Sequence, residues 1–223
     1  MGRLIGLTLV LSLTLAAQRA PDPALTDVDD VAGLPRVLLI GDSISMGYTI
    51  PVRELLKGKA NVHRILTNGG PTSNGVEHIG EWLGSGKWDV IHFNWGLHDL
   101  KIGEDGVRQV PIARYEKNLR ELVGRMKQTG AKLIFASTTP VPNAEVHPAR
   151  VNSDVILYNK VAAKVMEEYG IPTDDLYSLA LSNLATIQLP ANVHYTPEGY
   201  KVLAGRVAES ILRELAGKQT SQR

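Results

Sequence analysis

The chain contains no cysteine. That excludes any disulfide, any thiolate metal ligand and lipid attachment of the bacterial lipoprotein kind, so the folded domain must rest on its apolar core. Other patterns are missing too. No His-Glu-x-x-His or comparable cluster groups the six histidines, and no Gly-x-x-x-x-Gly-Lys phosphate loop is present, so neither a metal nor a cofactor is expected. Gly69-Gly70 follows a strand-like segment without dinucleotide spacing, and there is no Gly-x-Ser-x-Gly elbow. Charge of one sign is not in excess. The formal balance is +1, and leaving out Arg3 and Arg19 sets 22 bases against 23 acids. Nothing in that balance points to a nucleic-acid or membrane-surface partner.

What is present is enough for one well-cored domain: 223 residues, 43% hydrophobic and 21% charged. Arg3 precedes an apolar segment, Leu4 to Ala17, followed by small residues. It is short for a bilayer span and fits a secretory signal peptide over residues 1–20. The expectation is therefore a secreted or periplasmic protein of bacterial type, with no stable membrane anchor once the signal is removed. Residues 21–34 are polar, proline-bearing and aperiodic, as in a flexible lead-in.

Residues 35–218 are expected to form a single domain, because strand and helix patterns alternate from Arg36 onward. Strands are expected at Val37–Ile40, Asn61–Leu66, Trp88–Trp95, Lys132–Ser137 and Ile171–Leu176. A helix started or kinked near Pro51 follows the first of them, and a short helix with Val76, Ile79 and Trp82 follows the second. The clearest helix sets Ile112, Tyr115, Leu119, Leu122, Val123 and Met126 on one face and ends at Gly130. A loop follows the fifth strand. Thr196-Pro197 then opens the last helix, with threonine as cap and proline at the first helical position. Short connections between alternating elements argue a parallel sheet of five strands covered on both faces.

The first strand ends in Gly41-Asp42-Ser43. Asp42 and Ser43 suit a helix cap, and a serine at the carboxyl end of a parallel strand also suits a nucleophile. Three later features join it: Asn68-Gly-Gly-Pro-Thr-Ser73 after the second strand, Gly96-Leu-His-Asp99 after the third, and Val193-His-Tyr-Thr-x-x-Gly-Tyr200 before the last helix. In this order they resemble the four blocks of the GDSL/SGNH hydrolases, from about Val37 to Tyr200. The resemblance implies a flavodoxin-like three-layer α/β/α sandwich and a serine esterase. Ser43 would be the nucleophile and His194 its base.

The same resemblance implies an oxyanion hole built from the Ser43 N–H, a second-block amide and a third-block side chain. Five residues after Asn68 the family has a glycine, but here stands Ser73; either its N–H serves or Gly70 takes the place. The family's third donor is an asparagine. Here the position is His98, whose imidazole N–H can do the same work, with Asn94 as a weaker substitute. Asp99 is expected to cap or brace the loop. Trp95 could stack on a sugar ring or belong to the core. The largest departure lies three residues before His194, where the family's orienting aspartate is replaced by Ala191. Asn192, a backbone carbonyl or an acid from elsewhere could hold the histidine instead.

Two classes of function are consistent with these residues. The first is an esterase of short acyl groups, acetyl-type and borne on a small molecule or a carbohydrate, with reduced activity; a lipid esterase of lysophospholipase type is its neighbour. The second is a glycan-binding protein on the same fold with little or no catalysis.

Overall fold

A computed structural model describes residues 22–219, so the expected signal peptide lies outside the described residues. Five strands, β1 (Arg36–Ile40), β2 (Asn61–Arg64), β3 (Val90–Phe93), β4 (Lys132–Ala136) and β5 (Thr173–Asp174), form one all-parallel sheet in the order β2-β1-β3-β4-β5. Val37 to Ile40 and Val90, Ile91 and Phe93 are all buried. Continuous burial of this kind is what a parallel sheet needs when helices cover both faces.

Helices α1 (Ser43–Leu55), α5 (Leu176–Ile187) and α6 (Pro197–Gln219) pack together, as do α2 (Thr72–Leu83), α3 (Ile112–Lys127) and α4 (Asn152–Tyr169). The result is the three-layer α/β/α sandwich. The strand order reverses at β1, whose neighbours are β2 and β3. The crevice outside the carboxyl ends of β1 and β3 is therefore the switch point where such sheets bind ligands.

Several elements differ from their sequence expectations. α1 starts at Ser43 and continues through Pro51. Its buried Ile44, Tyr48 and Val52 keep a four-residue spacing across the proline, so core packing offsets the lost N–H. β5 has only two residues, and the segment expected to be a loop contains α5. Asp175 starts α5 by accepting from the Ser178 N–H at 3.0 Å. The lead-in expected to be flexible is fastened to the edge strand β2. Asn61 Oδ1 accepts from Val31 N at 2.9 Å, and His63 meets Asp30 at 2.7 Å and Asp27 at 3.3 Å.

The carboxyl ends of β1 and β2 are held by one buried cation. Arg64 Nη1 donates to the carbonyls of Ile65 (2.7 Å) and Thr67 (2.6 Å). Its Nη2 reaches the carbonyls of Gly41 (2.8 Å) and Asp42 (3.0 Å) and the hydroxyl of Ser45 (3.0 Å). These groups sit directly before and after Ser43. Gly69 completes the junction. Its N–H donates to the Gly41 carbonyl at 2.9 Å, and a Cβ there would come within 2.8 Å of that oxygen. Removing the guanidinium strands buried carbonyls, so Arg64→Met is expected to cost more than about 3 kcal/mol in urea unfolding. Arg64→Lys should recover only part, because an ammonium cannot span the fork. A loss below about 1 kcal/mol for Arg64→Met would contradict this role.

Candidate active site

Ser43 is the first residue of α1, and Asp42 caps that helix by accepting from the Ile44 N–H at 2.9 Å. The two sequence readings of this turn are thus compatible: the aspartate caps, and the serine is left facing the crevice. The Ser43 hydroxyl lies 2.8 Å from His194 Nε2, although 151 residues separate them. His194 is placed by a closed loop between α5 and α6. Leu189 N–H donates to the His194 carbonyl (2.9 Å), Thr196 N–H donates to the Ile187 carbonyl (2.8 Å), and Gln188 bridges Tyr195. The Thr196 hydroxyl accepts from Gly199 N at 3.0 Å and so anchors the start of α6.

The other ring nitrogen of His194, Nδ1, lies 2.8 Å from Asn192 Oδ1. The same oxygen accepts the His194 backbone N–H at 3.0 Å. A backbone N–H can only donate, so the asparagine atom between the two must be its carbonyl oxygen. The ring must then carry its proton on Nδ1, and Nε2 is left with a lone pair aimed at the Ser43 hydroxyl. Ala191, at the tip of the loop with φ +49°, leaves Asn192 to make the local turn onto the residue two positions on. Burial lowers the His194 pKa, with Arg150 adding to the effect and Asp42 opposing it. The imidazole is therefore neutral near pH 7, as a general base requires.

The amides of Ser43 and Ser73 have no acceptor among the described residues. Ser73 lies in the first turn of α2, where N–H groups point outward and the helix dipole favours negative charge. Gly70 does not offer its amide in the same way, since that N–H donates to Asn68 Oδ1 at 3.0 Å. His98 is half-buried on the loop after β3. Its pKa is lowered, first by burial and then by Lys101, Arg150 and His194, against Asp42.

A family model described as GDSL-like lipase/acylhydrolase matches residues 39–202. The chain belongs to that family. Relatives include a GDSL esterase/lipase of Arabidopsis thaliana, 26% identical over 82% of this chain and 88% of its own. An arylesterase of Vibrio mimicus is 22% identical over 96% and 99%. Among solved structures, a lipase/acylhydrolase from Enterococcus faecalis superposes with a TM-score of 0.69 (20% identity, 80% of this chain and 95% of that one). An acetyl xylan esterase, AlAXEase, gives 0.68 (16% identity, 79% and 99%). Esterase chemistry is thus a property of the family to which this chain belongs.

Within this GDSL-family chain, Asp99 braces rather than reacts. Its Oδ1 accepts from Thr72 N at 2.8 Å and from the Thr72 hydroxyl, which in turn accepts from Asn118 Nδ2 at 3.0 Å. This links the loop bearing His98 to the start of α2, one residue before Ser73. Arg150 supports the same loop through the Leu97 carbonyl at 2.6 Å. The sugar-stacking expectation for Trp95 is corrected. Trp95 is 1% exposed, with its ring where a Cβ on Gly75 would stand, so it has no face to offer. Asn94 is turned to the sheet, donating to the Ala136 carbonyl at 2.7 Å.

Among the described residues no group of three or more His, Asp or Glu side chains is placed to hold a metal ion. Sequence reasoning passed over Arg64, Thr72, Asn118 and Lys101. A cation ending a buried strand was the one visible signal for Arg64; Thr72 and Asn118 depend on contacts between distant blocks, and Lys101 acts locally, three residues from His98.

Burial pushes the Asp99 carboxyl up to about 7, against the hydrogen bonds from Thr72. The folded chain therefore keeps that proton up to about pH 7, while the unfolded chain releases it near pH 4. Folding takes up a proton between the two values, so this group's contribution is most favourable below about pH 4 and is lost as pH rises to about 7. Asp99→Asn keeps an acceptor for Thr72 and cannot ionise. Urea midpoints from pH 5 to 8 are expected to fall more steeply for the parent than for this variant. Equal slopes would contradict a buried, protonated Asp99.

Proposed function

We propose that this protein is a serine esterase of short, acetyl-type acyl groups, acting through Ser43 and His194 with Asn192 in place of the usual carboxylate. The observation that carries this reading is the 2.8 Å contact between Ser43 Oγ and His194 Nε2, with the ring held from behind by Asn192.

Ser43 Oγ attacks the ester carbonyl carbon and its proton passes to His194 Nε2. The carbonyl oxygen becomes an oxyanion, which the amides of Ser43 and Ser73 and the ring N–H of His98 receive. Collapse breaks the bond to the leaving alcohol, which takes the proton from Nε2. A water then gives its proton to the same nitrogen and attacks the acyl-serine carbon; return of the proton to Oγ frees the acid and restores the site.

A small acyl group suits the surroundings. The short loops around the crevice leave little material for a deep acyl tunnel. The acetyl xylan esterases among the structural relatives favour an acetylated carbohydrate as the natural ester. The apolar segment at the N-terminus favours export, so the substrate would be met in the periplasm or outside the cell.

The missing carboxylate sets the rate. When an asparagine replaces the orienting aspartate in a serine protease, the loss of about 10⁴ follows from the wrong tautomer. Here the backbone N–H of His194 holds the amide oxygen in place, so that part of the loss is avoided, and only the charge opposite the imidazolium is missing.

Hydrolysis of 4-nitrophenyl acetate and labelling by a fluorophosphonate test this reading together. The parent is expected to hydrolyse the ester and to be labelled at Ser43, and Ser43→Ala to lose both, with a rate loss of at least about 10³. Asn192→Asp should raise kcat by about tenfold or more, and the nearby charge should move the acid limb of the pH profile upward. Absence of labelling, with saturable binding of a sugar, would replace the enzyme by a glycan-binding protein on this fold.

A further inference from the structure

The oxyanion reading gives His98 a task that only one of its two neutral tautomers can perform, and the residue that selects the tautomer is three positions away. Lys101 Nζ lies 3.0 Å from His98 Nδ1. An ammonium has three donors and no acceptor, so Nδ1 must supply the lone pair. Among the described residues Lys101 has no carboxylate within ion-pair distance, and His98 Nε2 has no partner. The lysine is thus turned inward to the ring, not paired on the surface. The groups acting electrostatically on His98 are Asp42, Lys101, Arg150 and His194. Two of these are permanent cations near neutral pH, so the ring is not free to solve its tautomer problem by taking a second proton.

We propose that Lys101 is a positioning residue for catalysis: by donating to His98 Nδ1 it fixes the proton on Nε2, the nitrogen that faces the developing oxyanion. Asparagine, the family's residue at this position, has no such ambiguity, because its amide nitrogen always donates. Histidine does, and without a partner on Nδ1 it would spend part of its time with an Nε2 lone pair facing the oxyanion. The two histidines of this site would then be held in opposite tautomers, Nδ1–H in His194 by Asn192 and Nε2–H in His98 by Lys101. This inference rests on the proposed role of His98.

The test is a mutant cycle on 4-nitrophenyl acetate, with kcat and KM measured from pH 6 to 9 for the parent, Lys101→Met, Lys101→Arg, His98→Leu, His98→Asn and the double variant Lys101→Met/His98→Asn. Lys101→Met is expected to lower kcat at pH 8 by about tenfold with KM little changed, a part of the 10²–10³ typical of losing an oxyanion donor. The loss should hold across the neutral and alkaline part of the profile, where His98 is unprotonated and its tautomer decides what it can donate. Lys101→Arg should restore most of the rate. In the His98→Asn background, Lys101→Met should change kcat less than about twofold, since the amide needs no tautomer selection. An equal loss in both backgrounds overturns the proposal in favour of a structural or purely electrostatic lysine. No loss for Lys101→Met, with a large loss for His98→Leu, overturns it while leaving the oxyanion role of His98 intact. No loss for His98→Leu removes the oxyanion role itself.

Discussion

One amide oxygen, Asn192 Oδ1, accepts two hydrogen bonds from the same histidine, one from its backbone and one from its ring. The rest of the site depends on that double acceptance. It decides which imidazole nitrogen holds the proton, turns the other toward Ser43 and allows a catalytic pair to stand where a carboxylate is missing. An asparagine free to rotate would present its NH₂ to the ring half of the time and reverse the tautomer; a backbone donor 3.0 Å away prevents that at no cost in charge. What it does not supply is a negative charge beside the imidazolium. The nearest anionic influence on His194 is the buried cap, Asp42, whose field works against the lowering of its pKa by burial.

The fold serves this arrangement by bringing four separate strand or helix ends to one crevice. Arg64 and Gly69 bind the end of β1 to the end of β2, Asp99 and Thr72 bind the loop after β3 to the start of α2, and the hairpin-like closure from Gln188 to Tyr195 carries His194 over Ser43. The first two links are made by buried polar groups with specific partners and join blocks far apart in the chain, while the third is a local closure of the backbone. Such links are strong because the alternative, an unsatisfied group in a water-poor interior, is costly. They also explain why a cysteine-free chain keeps a precise site on loops.

How much of this could be read from the sequence follows from the range of the interactions concerned. The central strands were legible, because burial on both faces makes Val37–Ile40 a continuous apolar run and Val90–Phe93 one broken only by His92. So was the start of α6, where Thr196 and Pro197 act within one turn. Asn192 could be named as one of several partners for His194, since a side chain bonding the backbone two residues on is a local rule. α5 was not legible: its buried Leu176, Ala180 and Ile187 form a sparse face interrupted by Ser182 and Asn183. Pro51 misplaced the start of α1, because tertiary packing outweighed a local rule. Trp95 stayed ambiguous until the space over Gly75 showed where its ring goes. His63 and His92 had no visible partners because Asp30 and Asp174 lie 33 and 82 residues away.

The central claim is that His194 is a neutral base with its proton on Nδ1, and ¹⁵N NMR of the histidine rings at pH 7.5 reads that directly. The account expects a pyrrole-type Nδ1 and a pyridine-type Nε2 for His194, with the Nδ1–H signal lost on Asn192→Ala. A ring protonated on Nε2 instead, or one averaging freely between tautomers in the parent, would contradict it.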